Sequence, residues 1–179
     1  MKKILLLLLF LLMLPNIASA ACGDTITDGV DYTNCRFSDG QDLQGSYLPN
    51  SNLSFAGFIQ VNFDKSIMMK SNLSFGTFPD STFVRANLYE STLIGANFEK
   101  AQFIGANLTR VDFMGSTLID ANFQNANLVE ANFVSSNITN ANFDGANLNG
   151  AIWTDGKKCG LNSIGKLSLI HISEPTRPY

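Results

Sequence analysis

The chain has 179 residues, of which 45% are hydrophobic and 15% are charged, and its formal net charge is −3 at pH 7. A single histidine excludes most histidine-based triads, acid–base pairs and metal sites. The 12 basic and 15 acidic residues do not provide the basic surface that nucleic-acid binding requires. We therefore predict no nucleic-acid partner.

The first 20 residues have the parts of a secretory signal. Two lysines form a basic start, residues 4–14 form an apolar run, and a small-x-small cleavage site ends at Ala20. The run is shorter than the roughly 20 residues that span a bilayer, which argues against a membrane span. We predict a signal peptide over residues 1–20 and an exported protein, periplasmic or secreted. Its mature form begins at Ala21, and loss of the two lysines takes the formal charge from −3 to −5.

Two of the three cysteines, Cys22 and Cys35, lie in residues 21–40, which we interpret as an N-terminal cap segment. In an exported protein we predict that they form a disulfide. On the chain-entropy model such a bond adds about 3 kcal/mol to stability, and it secures a cap over an otherwise open strand edge. The alternative is a lipid anchor at Cys22, because the residues before it loosely resemble a lipobox, although Ser19 stands where that signal usually has Leu.

From residue 41 to residue 155 every fifth residue is apolar. On an α-helix five residues advance about 140° beyond a full turn, so this spacing gives no stripe. On a flat strand an odd spacing alternates between the two faces. The period points inward each time only if the chain turns a corner after every repeat, so that four repeats close a square coil. The series is Leu43, Leu48, Leu53, Phe58, Phe63, Met68, Leu73, Phe78, Phe83, Leu88, Leu93, Phe98, Phe103, Leu108, Phe113, Leu118, Phe123, Leu128, Phe133, Ile138, Phe143, Leu148 and Trp153.

A second pattern accompanies the apolar centres. The residue two positions before each centre is small, except for Gln41 at the first repeat, and the residue between them is Asn in 12 of the 23 repeats. Residues two apart on an extended segment face the same way, so we predict that the small residue and the centre both point inward while the Asn points out. Every twentieth residue forms a column, and similar side chains should stack along each column.

These repeats resemble the A-(N/D)-(L/F)-x-x unit of the pentapeptide-repeat family. Ala-Asn-Leu at 86–88 and 106–108 and Ala-Asn-Phe at 121–123 are good matches, and the resemblance covers about two thirds of the chain in one register. It implies an all-β fold, a right-handed quadrilateral parallel β-helix over residues 41–155. At about 20 residues a coil, this span gives about 5.75 coils.

The composition changes after the last repeat. We interpret residues 156–166 as the remnant of a C-terminal cap, in which Cys159 is the unpaired cysteine of an exported chain. Residues 167–179 hold the only histidine and no repeat, and they resemble translated sequencing-adapter read-through. That interpretation implies a missing natural C-terminus that carried the mate of Cys159. The alternative is a genuine disordered tail.

The sequence predicts no catalytic residue, no cofactor site and no metal site, and therefore no enzyme. The cysteines lack metal-ligand spacing and there is no phosphate-binding loop, while the interior of each coil is filled by side chains and leaves no room for a substrate. We predict a non-enzymatic exported scaffold or protein-interaction module whose outer β-walls contact an unknown protein partner. The sequence leaves its oligomeric state open.

Five of the apolar residues at outward positions stand out, and the repeat around residues 67–69 is the least typical. Two interpretations are open, a contact patch on the wall of the rod or the scattered apolar residues that are normal on protein surfaces. The family resemblance supplies an alternative function, because some members resemble B-form DNA and bind DNA gyrase, conferring quinolone protection. Residues 111–155 hold five acidic and no basic residues, which agrees with DNA mimicry. The export signal and the modest net charge disagree with it. The five outward apolar residues are Tyr47, Ile67, Met69, Tyr89 and Ile152.

Overall fold

The computed structural model describes residue 22, residues 29–160 and residues 163–165. Within these ranges there is no helix and no multi-residue strand. The regular structure consists of single-residue β-bridges at residues 31 and 36 and then at every fifth residue from 42 to 152, with a turn or bend between successive bridges. The predicted signal peptide and the tail of residues 167–179 lie outside the described residues.

The bridges between successive coils are parallel. From Asp42 with Asn62 to Asn132 with Ile152, each bridge links a residue to the one 20 positions later. Backbone hydrogen bonds follow the same step, as where Phe103 N donates to the carbonyl of Asn122 at 2.7 Å. Four repeats therefore make one coil, and the predicted right-handed quadrilateral β-helix is confirmed.

We name the four walls A to D by their inward-pointing centres, which are stacked along the rod. Wall A holds Leu43, Phe63, Phe83, Phe103, Phe123 and Phe143; wall B holds Leu48, Met68, Leu88, Leu108, Leu128 and Leu148; wall C holds Leu53, Leu73, Leu93, Phe113, Phe133 and Trp153; wall D holds Phe58, Phe78, Phe98, Leu118 and Ile138.

The coil register extends into residues 21–40, which the sequence predicts to be a cap. Asp31 and Arg36 form parallel bridges with Asn52 and Gly57, which lie 21 positions later, whereas the bridges of the regular coils join residues 20 positions apart. Tyr32 and Phe37 are buried in the same core as the regular centres. The chain therefore has one extra residue between Arg36 and Asp42, just before the regular 20-residue coils begin.

The core is a set of stacked side chains with no space between coils. The rings of Phe83, Phe103 and Phe123 stack at centroid distances of 4.9 and 5.0 Å, and all three rings are fully buried. This distance matches the roughly 4.8 Å between neighbouring strands. The ring of Phe98, from wall D, meets Phe103 edge-on at 5.3 Å. Like side chains thus stack on each other, as the columns in the sequence predict.

The outward Asn residues form the turns. The Oδ1 atom of Asn72 accepts a hydrogen bond from the backbone N–H of Ser74 at 3.0 Å, which is an Asx turn. The Nδ2 atom of Asn107 donates to Oδ1 of Asn87 in the coil before it, at 3.0 Å. Asn is therefore preferred at this position because it satisfies its own turn and also links neighbouring coils.

Each corner of the square coil has a left-handed backbone. All 23 corner residues, from Gly40 to Gly150 in steps of five, have φ between 54° and 73°, and 16 of them are not glycine. This conformation costs an L-residue about 1–2 kcal/mol. The packed core and the bridges must offset that cost in every coil.

At the C-terminal end of the rod the chain reverses direction and pairs antiparallel with the last coil. Lys158 and Ile164 form antiparallel bridges with Ile152 and Asn147, and Cys159 N donates to the carbonyl of Ala151 at 2.7 Å. These residues cover the open strand edge of the last coil, where other chains would otherwise pair.

Candidate functional site

Between residues 48 and 133 the rod has no room for an internal site. Its central side chains from residue 48 to residue 133 are fully buried, and their packing leaves no substrate cavity among them. Among the described residues, no group of three or more His, Cys, Asp and Glu side chains is placed to hold a metal ion. No helix in this part of the chain is long and apolar enough to cross a membrane. The candidate sites are therefore features of the walls and corners.

The structure places the three cysteines in two environments. Cys22 and Cys35 are joined by a disulfide, with Cα atoms 5.5 Å apart, and this bond uses the sulfur atom that a lipid anchor would need. Cys159 is a free thiol buried in the C-terminal closure. Burial raises the pKa of the Cys159 thiol, so it packs as a small apolar side chain.

Four of the five outward apolar residues predicted from the sequence come together. Tyr47 and Ile67 are bridged neighbours on the outside of wall B, and Tyr47 lines a shallow depression on that wall with Met69 and Tyr89. We call these four residues the wall B patch. Tyr47 is more than half exposed, while the other three are partly exposed. Ile152 lies on wall C at the other end of the rod.

A column of charges runs along the corner between walls B and C. Lys70, Glu90, Arg110 and Glu130 occupy the same corner position in four successive coils. Neighbouring members pair at nitrogen–oxygen distances of 3.7, 3.3 and 2.7 Å in that order. We call these four residues the charged column. Its sign alternates at every coil, so each member attracts the ones before and after it.

Hydrogen bonds shift the pKa values of three members of the charged column and of the neighbouring Tyr89. The hydrogen bond between Tyr89 and Glu90 is the main cause that raises the pKa of Tyr89 and lowers the pKa of Glu90. Arg110 donates to Glu130 and lowers its pKa, while the pKa of Arg110 rises. These shifts favour the charged forms of Glu90, Arg110 and Glu130.

The corner between walls C and D carries two exposed aromatic rings. Phe55 and Phe75 occupy left-handed corner positions, with φ of 59° and 58°, and their side chains are 56% and 55% exposed. The rings stack at 5.2 Å. The ring of Phe75 also lies over Gly95, where an added Cβ would come within 2.7 Å of it. We call Phe55 and Phe75 the aromatic corner.

A groove adjoins the aromatic corner at the N-terminal end of the rod. Phe55 lines it together with Arg36, Ile59 and Thr77 of wall D and with Asp39. The sequence gives only a weak signal for this site, because corner positions hold mixed residue types. Two aromatic residues 20 positions apart at the same corner were the feature that would have revealed it.

A sequence model of pentapeptide repeats matches the chain in eight copies, over residues 42–74, 81–118 and 118–152. These matches cover more than half of the chain. The chain belongs to the pentapeptide-repeat family. A comparison with curated proteins gives no significant sequence match.

Solved structures of other pentapeptide-repeat proteins resemble this rod. A trypsin-treated variant of QnrB1, a plasmid-mediated fluoroquinolone resistance protein, aligns at 21% identity and a TM-score of 0.56. The alignment covers 73% of this chain and 66% of the QnrB1 chain, so this chain spans slightly less than two thirds of that structure. At this identity the likeness shows the fold alone.

Two further solved structures align with lower TM-scores. A pentapeptide repeat protein from the Arabidopsis thaliana thylakoid lumen aligns at 24% identity and a TM-score of 0.34, over 65% of this chain and 70% of its own. HetL, involved in heterocyst differentiation regulation in the cyanobacterium Nostoc, aligns at 17% identity and a TM-score of 0.28, over 79% and 97%.

The acidic stretch of this pentapeptide-repeat protein does not form one acidic face. Glu130 is paired with Arg110, and Asp155 is paired with Lys157 at 2.9 Å. Because the chain turns a corner every five residues, acids that are close in sequence lie on different sides of the rod. Asp112 lies on wall C, Asp120 at the corner of walls D and A, Glu130 at the corner of B and C, Asp144 on wall A, and Asp155 after wall C.

Proposed function

We propose that this chain is an exported, non-enzymatic pentapeptide-repeat protein that acts as a scaffold or protein-interaction module through its outer walls. The observation that carries the proposal is the aromatic corner, a stacked and exposed pair of rings on a rod whose interior is filled. A protein partner that binds there would cover Phe55 and Phe75 and reach into the adjoining groove.

Fold stability does not account for the aromatic corner. A left-handed backbone costs each phenylalanine about 1–2 kcal/mol, and a ring that is more than half exposed recovers only part of the roughly 1.5–3 kcal/mol of full burial. Glycine, present at the next two positions of the same corner, Gly95 and Gly115, avoids the backbone cost. Aromatic side chains are enriched at the centres of protein interfaces, so binding supplies a reason for the rings that folding does not.

Site-specific photocrosslinking in the native host tests this proposal. A photoreactive phenylalanine analogue replaces Phe75, and in a matched control it replaces Ser135, which is exposed on the same corner column three coils away. We expect one discrete adduct at Phe75 and none at Ser135. The absence of an adduct at Phe75, or the same adducts at both positions, would contradict the proposed contact surface.

DNA gyrase binding is a second candidate, favoured by the excess of acidic over basic residues in residues 111–155. The dispersal of those acids over several walls weakens the likeness to a DNA surface. A gyrase supercoiling assay with the mature chain decides this point. Inhibition or quinolone protection at micromolar protein would support the candidate, and no effect would dismiss it.

A further inference from the structure

The charged column is complementary to itself when it is reversed. In the direction of the chain, its signs are plus, minus, plus and minus, from Lys70 to Glu130. Read backwards, the signs are minus, plus, minus and plus. An antiparallel second copy of the same column therefore presents the opposite charge at every one of the four levels.

We propose that wall B is a self-association surface, on which two copies of this chain pack antiparallel and face to face. The two-fold axis lies in the plane of the interface, at right angles to the long axes of both rods. It passes midway between the coil of Glu90 and the coil of Arg110. A two-fold axis in this position brings each column of wall B onto the same column of the other copy, in reverse order. Lys70 then faces the partner's Glu130, and Glu90 faces the partner's Arg110.

The members of the charged column are available for such pairing. The side chains of Lys70, Arg110 and Glu130 are 59%, 53% and 48% exposed, and that of Glu90 is 31% exposed. Their pairs within one chain hold each side chain at its corner, so little conformational freedom remains to be lost on association. The pairs across the two-fold axis add to those within each rod.

The rest of wall B fits the same arrangement. Met69 faces the partner's Val129, which gives an apolar pair. Tyr47 and Ile67 face the Asn-rich half of the partner's wall, so that the wall B patch, the most apolar part of this wall, is covered. This surface is separate from the aromatic corner, which lies beyond wall C. The aromatic corner therefore stays open in the dimer to the different protein that is proposed to bind it. The inference therefore does not depend on that partner.

Basic side chains elsewhere on wall B do not oppose this register. Lys65 and Arg85, on the corner between walls A and B, face the partner's Asn125 and the partner's Gly105, which are uncharged. Lys158 lies beside Gly150, at the level that faces the partner's Asn50. No pair of like charges is created.

The charges also exclude neighbouring registers. If the two-fold axis moves to the level of Arg110, Glu90 faces the partner's Glu130 and Arg110 faces itself. If it moves to the level of Glu90, Lys70 faces the partner's Arg110. Both moves replace attraction by repulsion at three of the four members of the column, and the fourth member then faces an uncharged residue, Gly150 or Asn50. Charge patterns select one register against its alternatives in this way.

Sedimentation equilibrium of the mature chain at low and high salt provides the test. We expect a dimer in 20 mM NaCl whose dissociation constant rises at least 10-fold in 500 mM NaCl, because exposed charges are screened within a few ångströms at high salt. The double variant Arg110→Glu/Glu130→Lys keeps the net charge and two of the three ion pairs within the chain. It places like charges opposite each other at all four levels, so it should be monomeric in 20 mM NaCl.

A matched control exchanges another ion pair without touching wall B. Glu99 and Lys100 are paired at 3.4 Å on the far side of the rod, and Glu99→Lys/Lys100→Glu should leave the dissociation constant unchanged within twofold. Thermal melts of both double variants verify that they fold.

A variant in which all four charges of the column are reversed distinguishes a loss of self-association from a loss of fold stability. The variant Lys70→Glu/Glu90→Lys/Arg110→Glu/Glu130→Lys retains all alternating pairs within the chain and is again complementary to itself. It should form dimers with itself but not with the wild-type chain in a mixing experiment followed by native mass spectrometry. A monomeric wild-type chain at 200 µM in 20 mM NaCl, an unaffected Arg110→Glu/Glu130→Lys dimer, or free mixing with the reversed variant would each overturn the proposal.

Discussion

Replacing Phe103 by alanine tests the stacked core at its centre. The ring is fully buried, stacks on Phe83 and Phe123 at 4.9 and 5.0 Å, and meets Phe98 and Phe113 edge-on at 5.3 and 5.9 Å. Phe→Ala changes in cores cost about 3–5 kcal/mol, and each favourable ring pair contributes about 0.5–1.5 kcal/mol beyond its buried area. With four ring partners we expect the upper end, about 5 kcal/mol of unfolding free energy.

Urea unfolding of the mature chain measures this loss, with thermal melting as a second readout. At a few degrees per kcal/mol for a domain of this size, the melting temperature should fall by roughly 15 °C. The matched control is Ile138→Ala, because Ile138 is a column centre that is only partly buried, and its loss should cost about 1–2 kcal/mol. Equal costs for Phe103→Ala and Ile138→Ala, or a cost below about 2 kcal/mol at Phe103, would refute the stacked core.

Three substitutions and one labelling experiment test other parts of the structure. Ala106 is fully buried, so Ala106→Leu should overpack the coil and cost about 1–3 kcal/mol in urea unfolding, whereas a neutral result would place this side chain outside. Gly115 has φ of 66° with no atom within 4 Å of an added Cβ, so Gly115→Ala should cost about 1 kcal/mol through its backbone alone, and an unchanged urea midpoint would contradict the left-handed corner. The pKa of Glu130 is lowered in the folded state, so its stabilisation is present above its unfolded pKa of about 4.3 and is lost as the pH falls through the folded value. The melting temperature should therefore fall less steeply below pH 4.5 in Arg110→Met than in the wild type, and parallel curves would count against the ion pair. Cys159 is buried and its thiol pKa is raised, so a thiol reagent should label it only on the timescale of unfolding, and immediate labelling would show an open C-terminal end.

The sequence predicts the coil because its period leaves only one solution. An apolar residue at every fifth position, with a small residue two positions earlier, specifies both the corner and the inward side. The stacks of Phe83 on Phe103 and of Phe103 on Phe123 follow directly from reading every twentieth residue. The clustering of Tyr47 and Met69 on wall B likewise follows from their places in the repeat.

The corners and the surface sites could not be predicted in the same way. Corner residues are chemically mixed, so the 20-residue spacing of Phe55 and Phe75 is only a weak signal that the two rings stack outside the core. The pairing of Lys70 with Glu90 becomes visible only when coils are aligned 20 residues apart. The 21-residue bridges at Asp31 and Arg36 do not follow from the sequence pattern, because one extra residue breaks the period there.

The proposed export is tested most directly by the intact mass of the native protein, measured separately in envelope and cytosolic fractions, before and after reduction. We predict a chain that begins at Ala21, is found outside the cytosol, and gains about 2 Da on reduction as the Cys22–Cys35 disulfide opens. An uncleaved chain in the cytosol with an unchanged mass on reduction would contradict the exported module and make gyrase the next partner to test.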